Sequence, residues 1–293
     1  MKLAHVEAGG RRFFASVTND EVIDLTSELK DGFTDVLRIC TQADTVQDLA
    51  QRCQKKTPRL PLGSVRLLAP VPDTSRILGV GMNYHSFVAA AQRAGLPLPA
   101  SRIWFLRPRC CITGPYDDVW LPQGATDLDY ENELTIVIGR RCRAVSVADA
   151  RQVIGGFTVG NDMTLRSLVA RSLVFAKSFE THTPLGPWIV TPDELDDVGS
   201  LALKTWVNGE LRQNGTTADM VASGYELIAE ISSVCALNPG DLIMTGTPDG
   251  CGIFARPPQG LAPGDVVRLE IEGIGAIENR IVAEPAAETS SVA

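Results

Sequence analysis

The sequence predicts a β-rich α+β protein, and three observations carry that expectation. Short runs of β-branched residues, bounded by Gly, Pro and Asp, recur from Val65 onward. Asn208-Gly209 suits the positive φ of a tight hairpin turn, and extended segments flank it. Helical spacing is confined to a few windows, so the regular strand–helix alternation of a doubly wound fold is missing.

In chain order, residues 3–25 alternate as short strands: Leu3 to Glu7, a Gly9-Gly10 turn, Arg12 to Val17, then Val22 to Leu25. Residues 33–53 carry helical spacing through Val36, Leu37, Ile39, Val46 and Leu49. The basic, proline-rich stretch Lys55-Lys56-Thr57-Pro58-Arg59-Leu60-Pro61 reads as a linker. Residues 1–65 are therefore expected to form a small N-terminal α+β domain and 66–283 the main one. Strands are expected at Arg76 to Val80, Leu134 to Ile138, Leu203 to Val207, Asp241 to Met244 and Val266 to Ile271. Helices are expected at roughly 84–94, 146–153 and 219–236, the first stopped by Gly95 with Pro97 beyond. The small, polar residues 284–293 read as a flexible tail.

A net charge of -8 argues against general affinity for nucleic acid or anionic membrane, while leaving room for a local basic pocket. No apolar run approaches the ~20 residues needed to span a bilayer. Glu7 and Gly9-Gly10 fall where a signal peptide would need its apolar stretch. The seven cysteines form no C-x-x-C pair, and reduced thiols fit the expected cytoplasmic location. Gly79-x-Gly81 and Gly273-x-Gly275 lack the third glycine of a dinucleotide fingerprint. Thr245-Gly246-Thr247-Pro248-Asp249-Gly250 lacks the ending of a phosphate loop and reads as a turn.

The informative segment is Asp129-Tyr130-Glu131-Asn132-Glu133 leading into a strand. Side chains two apart share a strand face, so Glu131 and Glu133 lie together and repel unless solvated, protonated or bridged by a cation. Taken alone, the pair also reads as the exposed acidic start of a strand. Asp162 shifts the weight, because it ends the apolar segment 155–162. Three hard oxygen donors with no Cys or His cluster suit Mg²⁺ or Mn²⁺, with Ca²⁺ as an alternative, rather than Zn²⁺. Such an ion can chelate a 2-oxo acid.

An ordered set of motifs then makes the chain resemble the fumarylacetoacetate hydrolase family. They are Ile77-Leu78-Gly79-Val80-Gly81-Met82-Asn83-Tyr84, Glu131-x-Glu133, Gly160-Asn161-Asp162, Ala176-Lys177-Ser178-Phe179 and Pro184-Leu185-Gly186-Pro187-Trp188. Val207-Asn208-Gly209-Glu210, Pro239-Gly240-Asp241 with Thr245-Gly246-Thr247-Pro248, Gly273-Ile274-Gly275 and Glu278-Asn279 complete it. The resemblance implies a mixed β-roll catalytic domain, usually a homodimer, with Glu131, Glu133 and Asp162 as metal ligands. It implies that Lys177 stabilises a developing enolate or oxyanion. Arg166 and Thr247 fall at positions that usually contact the substrate, and Tyr84 and Phe87 are taken as substrate-facing residues of a lid.

Two departures bear on the reaction. Where many hydrolytic members carry a water-activating His and Glu on the lid, this chain has Phe87 and Ala90. His85 is then the candidate base, although two residues along a helix turn it ~200° away from position 87. Arg107 replaces a lysine common in relatives, keeping the charge but not the geometry. The family default is hydrolysis of a C–C bond in an acylpyruvate-like or 1,3-dicarbonyl substrate. The alternative, favoured by the missing pair, is an isomerase, tautomerase, decarboxylase or other lyase on a chelating 2-oxo acid. A non-catalytic oxo-acid binder is the third reading.

Overall fold

The computed structural model describes residues 1–29, 36–37, 40–41, 43–71 and 76–286. The alternation in the first residues becomes strands Lys2–Ala8, Arg11–Thr18 and Glu21–Asp24, joined as an antiparallel meander. Lys2–Ala8 also pairs antiparallel with Thr183–Val190. The meander thereby lies in the same twelve-stranded sheet as the strands that follow it. Past Thr183–Val190 the sheet runs through Ile154–Asn161, Asn132–Ile138, Leu242–Met244 and Ile77–Gly81 to an edge at Ile103–Arg107. A second, five-stranded sheet contains Glu210–Thr216, Ala202–Val207, Val266–Ile271, Gly275–Ala283 and Val119–Leu121.

The two sheets meet over Asn132–Ile138, all seven residues of which are buried. Leu134, Ile136 and Ile138 share one face and pack with Leu203, Leu269, Ile271 and Ile277 from the smaller sheet. Val137, on the opposite face, packs with Leu185, Ile189 and Met244. Glu133 and Thr135 share the face of Val137, because strand side chains alternate. Truncating Ile136 to Ala at this seam costs about 2–5 kcal/mol.

The expected strands and the Asn208-Gly209 hairpin are present, with ends displaced by a residue or two. Three long strands have no counterpart in the expectation: Ile154–Asn161 contains Gly155-Gly156, Thr183–Val190 contains Pro184, Gly186 and Pro187, and Gly275–Ala283 opens directly after Gly273-Ile274. Such residues ordinarily punctuate strands.

Helix His85–Arg93 lies in the 84–94 window. The 146–153 window holds only a 3₁₀ turn, Ala150–Val153, because the chain enters a strand immediately after it. In the third window the α-helix begins at Gly224, where Ser223 and Glu226 close a capping box on the first turn. Of the 33–53 window, the described part gives helix Ala43–Gln54, and Ile39 lies outside the described residues. Most of the expected tail, 287–293, also lies outside them. No described helix is long and apolar enough to cross a membrane.

Candidate active site and metal centre

The site begins with strand register. Asn132–Ile138 and Ile154–Asn161 run antiparallel with Asn132 opposite Asn161 and Glu133 opposite Gly160. The ladder continues one step further, because the Asp162 N–H donates to the Glu131 carbonyl at 2.9 Å. Asp162 is thereby set beside the glutamates, and one oxygen from each of Glu131, Glu133 and Asp162 lies within 4.8 Å of the others. All three are buried, at 5%, 2% and 1% exposure. Gly160 is a packing requirement, since a Cβ there would meet Thr135 Oγ1 at 2.4 Å.

Three cations converge on this floor. Lys177, at the end of the short Leu173–Lys177 helix, donates from Nζ to Glu131 at 2.8 Å, Asp162 at 2.5 Å and Thr164 Oγ1 at 2.7 Å. Arg107, the last residue of the edge strand, pairs with Asp162 and donates to the His182 carbonyl at 2.7 Å. Arg166 spans Asp129, at 2.8 Å, and Glu131, at 2.7 Å, and its buried Nη2 has no partner among the described residues. Asp129 holds that arginine while accepting backbone N–H bonds from Tyr130, Gly252 and Ile253 at 2.9, 2.7 and 3.0 Å.

Glu133 differs from its neighbours. It accepts from the Gly246 N–H at 2.8 Å and has no cationic partner among the described residues. Burial, with the charges of Asp162 and Glu131, pushes its carboxyl well above the usual range. Burial also opposes ionisation of Asp162, but Lys177 and Arg107 outweigh it and hold that carboxyl low. Burial acts against the Lys177 ammonium, and Asp162 and Glu131 outweigh it, so its pKa is raised. Four acids (Asp129, Glu131, Glu133, Asp162) against three bases leave one acid, Glu133, without a cationic partner among the described residues. The uncompensated acid belongs to a set of hard oxygens, so the residues fit a divalent cation. The Gly246 contact requires that glycine, whose φ is 91° and whose added Cβ would lie 3.0 Å from Asn83 Cβ.

The floor opens into a cavity of about 110 Å³. Its lining combines the polar groups of Glu131, Glu133, Asp162, Thr164, Arg166, Lys177 and Thr247 with the apolar side chains of Phe87, Met82, Ile103, Phe105, Val169 and Leu173. Phe87 packs edge-on against Phe254 with ring centroids 5.0 Å apart. Lid helix His85–Arg93 is tied down where the Ser86 N–H donates to Asp219 at 2.9 Å and Arg93 pairs with Asp249 at 2.8 Å.

The structure thus gathers the acid triad, Lys177, Arg166, Thr247 and Phe87 around one space. It does not bring in the two other lid residues expected there. His85 is exposed at the start of the helix, turned from the cavity by the rotation that puts Phe87 in the wall. Tyr84 is fully buried behind the wall beside Gly246, its hydroxyl without a partner among the described residues. Sequence reasoning missed Asp129, Thr164, Gln213 and Phe254. Only Asp129 gave a signal, lying two residues before Glu131 in an extended segment.

The match to the Fumarylacetoacetate (FAA) hydrolase C-terminal family model spans residues 76–282, well over half of the chain. The chain belongs to the fumarylacetoacetate hydrolase family. It is 38% identical over 246 residues to a Homo sapiens protein named oxaloacetate tautomerase FAHD2A, mitochondrial, covering 82% of this chain and 77% of that protein. Among solved structures, maleylpyruvate hydrolase from Sphingobium sp. SYK-6, in complex with manganese(II) and pyruvate, superposes with a TM-score of 0.81 at 30% identity. That match covers 97% of this chain and 100% of the other. The 5-carboxymethyl-2-hydroxymuconate delta-isomerase from Mycobacterium smegmatis matches with a TM-score of 0.77 at 32% identity, covering 98% and 100%. Members of this family so named include hydrolases, isomerases and tautomerases, and the acid triad here can hold a divalent metal.

Proposed function

We propose that this enzyme interconverts the enol and keto forms of a small 2-oxo acid, with Mg²⁺ or Mn²⁺ held by Glu131, Glu133 and Asp162. The observation that carries this reading is the apolar part of the cavity lining. It presents Phe87, backed by Phe254, at the place where hydrolytic relatives position a water-activating histidine. C–C hydrolysis needs an activated water, and a general base typically contributes ~10²–10⁴-fold to such a step. Enol–keto conversion adds no water to carbon. It needs a polarised oxo group, a stabilised enolate and one proton moved from the enol oxygen to the adjacent carbon. Lys177 in the cavity lining can relay that proton, its ammonium giving a proton to carbon and its amine taking the enol proton.

When bound, the cation supplies Lewis-acid polarisation of the oxo group. The chain's own residues do the rest. Arg166 Nη2 and the Thr247 hydroxyl offer hydrogen bonds to substrate oxygens, a planar guanidinium being well matched to a carboxylate. The Lys177 ammonium, over the Phe105 ring at 5.0 Å, places positive charge beside the developing enolate. Phe87, Val169 and Leu173 shield that enolate from water. A cavity of about 110 Å³ is well below the ~300 Å³ of a drug-sized site, so the substrate carries only a short tail. Similarity to proteins named oxaloacetate tautomerase supports a compact 2-oxo diacid. A homodimer, as the family resemblance implies, is the oligomeric state we infer.

Hydrolysis of an acylpyruvate is the second reading, favoured by the superposition on maleylpyruvate hydrolase. The deciding experiment follows loss of the enol absorbance of oxaloacetate in saturating Mg²⁺, beside cleavage of acetylpyruvate and maleylpyruvate. Chelator-sensitive acceleration of the first, with slow cleavage of the others, is the expected result. A higher kcat/KM for cleavage of either acylpyruvate overturns the proposal.

A further inference from the structure

Gln213 is fully buried at the junction of the two sheets, and its side chain makes bonds that leave its amide only one orientation. Its Oε1 accepts from the Asn132 backbone N–H at 3.2 Å and from Thr205 Oγ1 at 2.8 Å. Its Nε2 donates to the Pro248 carbonyl at 3.0 Å and to Thr247 Oγ1 at 2.8 Å. A backbone N–H can only donate and a backbone carbonyl can only accept, so the two ends of the amide cannot be exchanged. Thr247 Oγ1 is therefore obliged to accept from Gln213. Its own proton has no acceptor among the described residues, and Thr247 lines the cavity.

We infer that Gln213 is a positioning residue that fixes the Thr247 hydroxyl as a hydrogen-bond donor to an oxygen of the bound substrate. The inference rests on reading the cavity as the active site. A lone threonine hydroxyl rotates and serves equally a carbonyl, a carboxylate, an enolate or a hydroxyl. With one of its two lone pairs taken from behind, its rotation is restrained and its single proton is turned toward the cavity, so it favours ligands presenting an acceptor oxygen there. Selection for carboxylate and enolate oxygens over an alcohol is thus set from the smaller sheet's Glu210–Thr216 strand, outside the cavity wall.

A double-mutant cycle tests this with oxalate, a planar mimic of an enolate of a 2-oxo acid, titrated calorimetrically into Mn²⁺-saturated protein. Losing one such hydrogen bond weakens binding by about 10-fold. Thr247→Val and Gln213→Met should each weaken oxalate by about that factor, and the double variant by about 10-fold again rather than ~100-fold, because both remove the same bond. Thr247→Ser should restore most of the affinity. Lactate, which offers a hydroxyl in place of the oxo group, should gain relative to oxalate in Gln213→Met. If Gln213→Met does not fold, Gln213→Glu takes its place in the cycle. It keeps an acceptor for Asn132 and Thr205 and draws the Thr247 proton inward. Multiplicative effects, or wild-type oxalate affinity in the Gln213 variants, overturn the inference while leaving the active-site reading intact. Failure of the Mn²⁺-saturated wild type to bind oxalate overturns both.

Discussion

The polar and apolar parts of the cavity lining are built to opposite rules. Its floor is ionic and mutually dependent: Asp162 alone answers both Lys177 and Arg107, and Glu131 answers Lys177 and Arg166. Its wall is apolar and divisible, made of side chains that contact one another without hydrogen bonds, as Phe87 does with Phe254. Removing one partner of a buried ion pair leaves a stranded charge, whereas trimming a wall residue loses only its packing. A reaction can therefore be altered most cheaply at the wall, with the floor held constant.

The largest expected effect comes from attacking the floor. Asp162→Ala should abolish both calorimetric Mn²⁺ binding and turnover. It should also lower stability to urea by about 3–5 kcal/mol, because two buried cations lose their shared partner. Wild-type Mn²⁺ affinity in this variant would break the comparison at once. Next is Lys177→Met, which should reduce kcat by ~10²–10³ with little change in KM, as expected for a group acting on developing charge. A loss expressed only in KM would make Lys177 a ground-state contact instead.

The wall should respond differently. Phe87→His removes an aromatic contact worth about 0.5–1.5 kcal/mol and installs a base in the cavity lining. Enol–keto conversion should fall only a few-fold, while acetylpyruvate hydrolysis rises about 10-fold or more. Parallel kcat/KM measurements on the two substrates decide it, and unchanged hydrolysis would show that the wall does not select the reaction. Ala90, the other altered lid position, is buried in the packed face of its helix, so a glutamate there would have to displace its neighbours.

The last expected effect is on stability rather than activity and concerns the backing of the floor. His182 holds Arg107 through its carbonyl, and its ring is buried with Nε2 2.8 Å from the Trp120 carbonyl. Burial pushes its pKa down from 6.5 to about 4. A depressed folded-state value means that the stability is fully present above pH 6.5 and is lost as pH falls toward 4. Between pH 6.5 and 5 the loss should be about 2 kcal/mol. Urea unfolding of wild type and His182→Asn at both pH values checks this, and an equal slope in the two proteins would clear His182 of the effect.

Much of the floor was legible in the sequence, for a definite reason. Glu131 and Glu133 share a face by strand periodicity alone, and Asp162 closes a segment with almost no other polar side chain. The register that joins them was not legible, because it depends on Ile154–Asn161, whose Gly155-Gly156 reads locally as a break. Thr183–Val190, with its prolines, was hidden in the same way. Asp129 and Gln213 escaped for another reason. A polar residue in an extended run reads as solvent-facing, and only the assembled structure supplies the backbone groups that make its burial possible. The lid was half legible: the Phe87 and Ala90 replacements stand in the sequence, while the burial of Tyr84 and the outward turn of His85 depend on how the helix seats.

The pairing of Lys2–Ala8 with Thr183–Val190 has a practical consequence for handling the protein. Cutting the chain near residue 65 would uncover Arg66–Leu68 and the Ile189–Val190 end of Thr183–Val190, and leave their backbone donors and acceptors free to recruit another chain. A shortened protein made to simplify crystallisation should therefore precipitate or form edge-to-edge oligomers at concentrations where the intact chain stays dispersed. Light scattering of the two preparations would show it. An affinity tag is better placed beyond residue 286, away from Lys2–Ala8, which is paired on both of its sides.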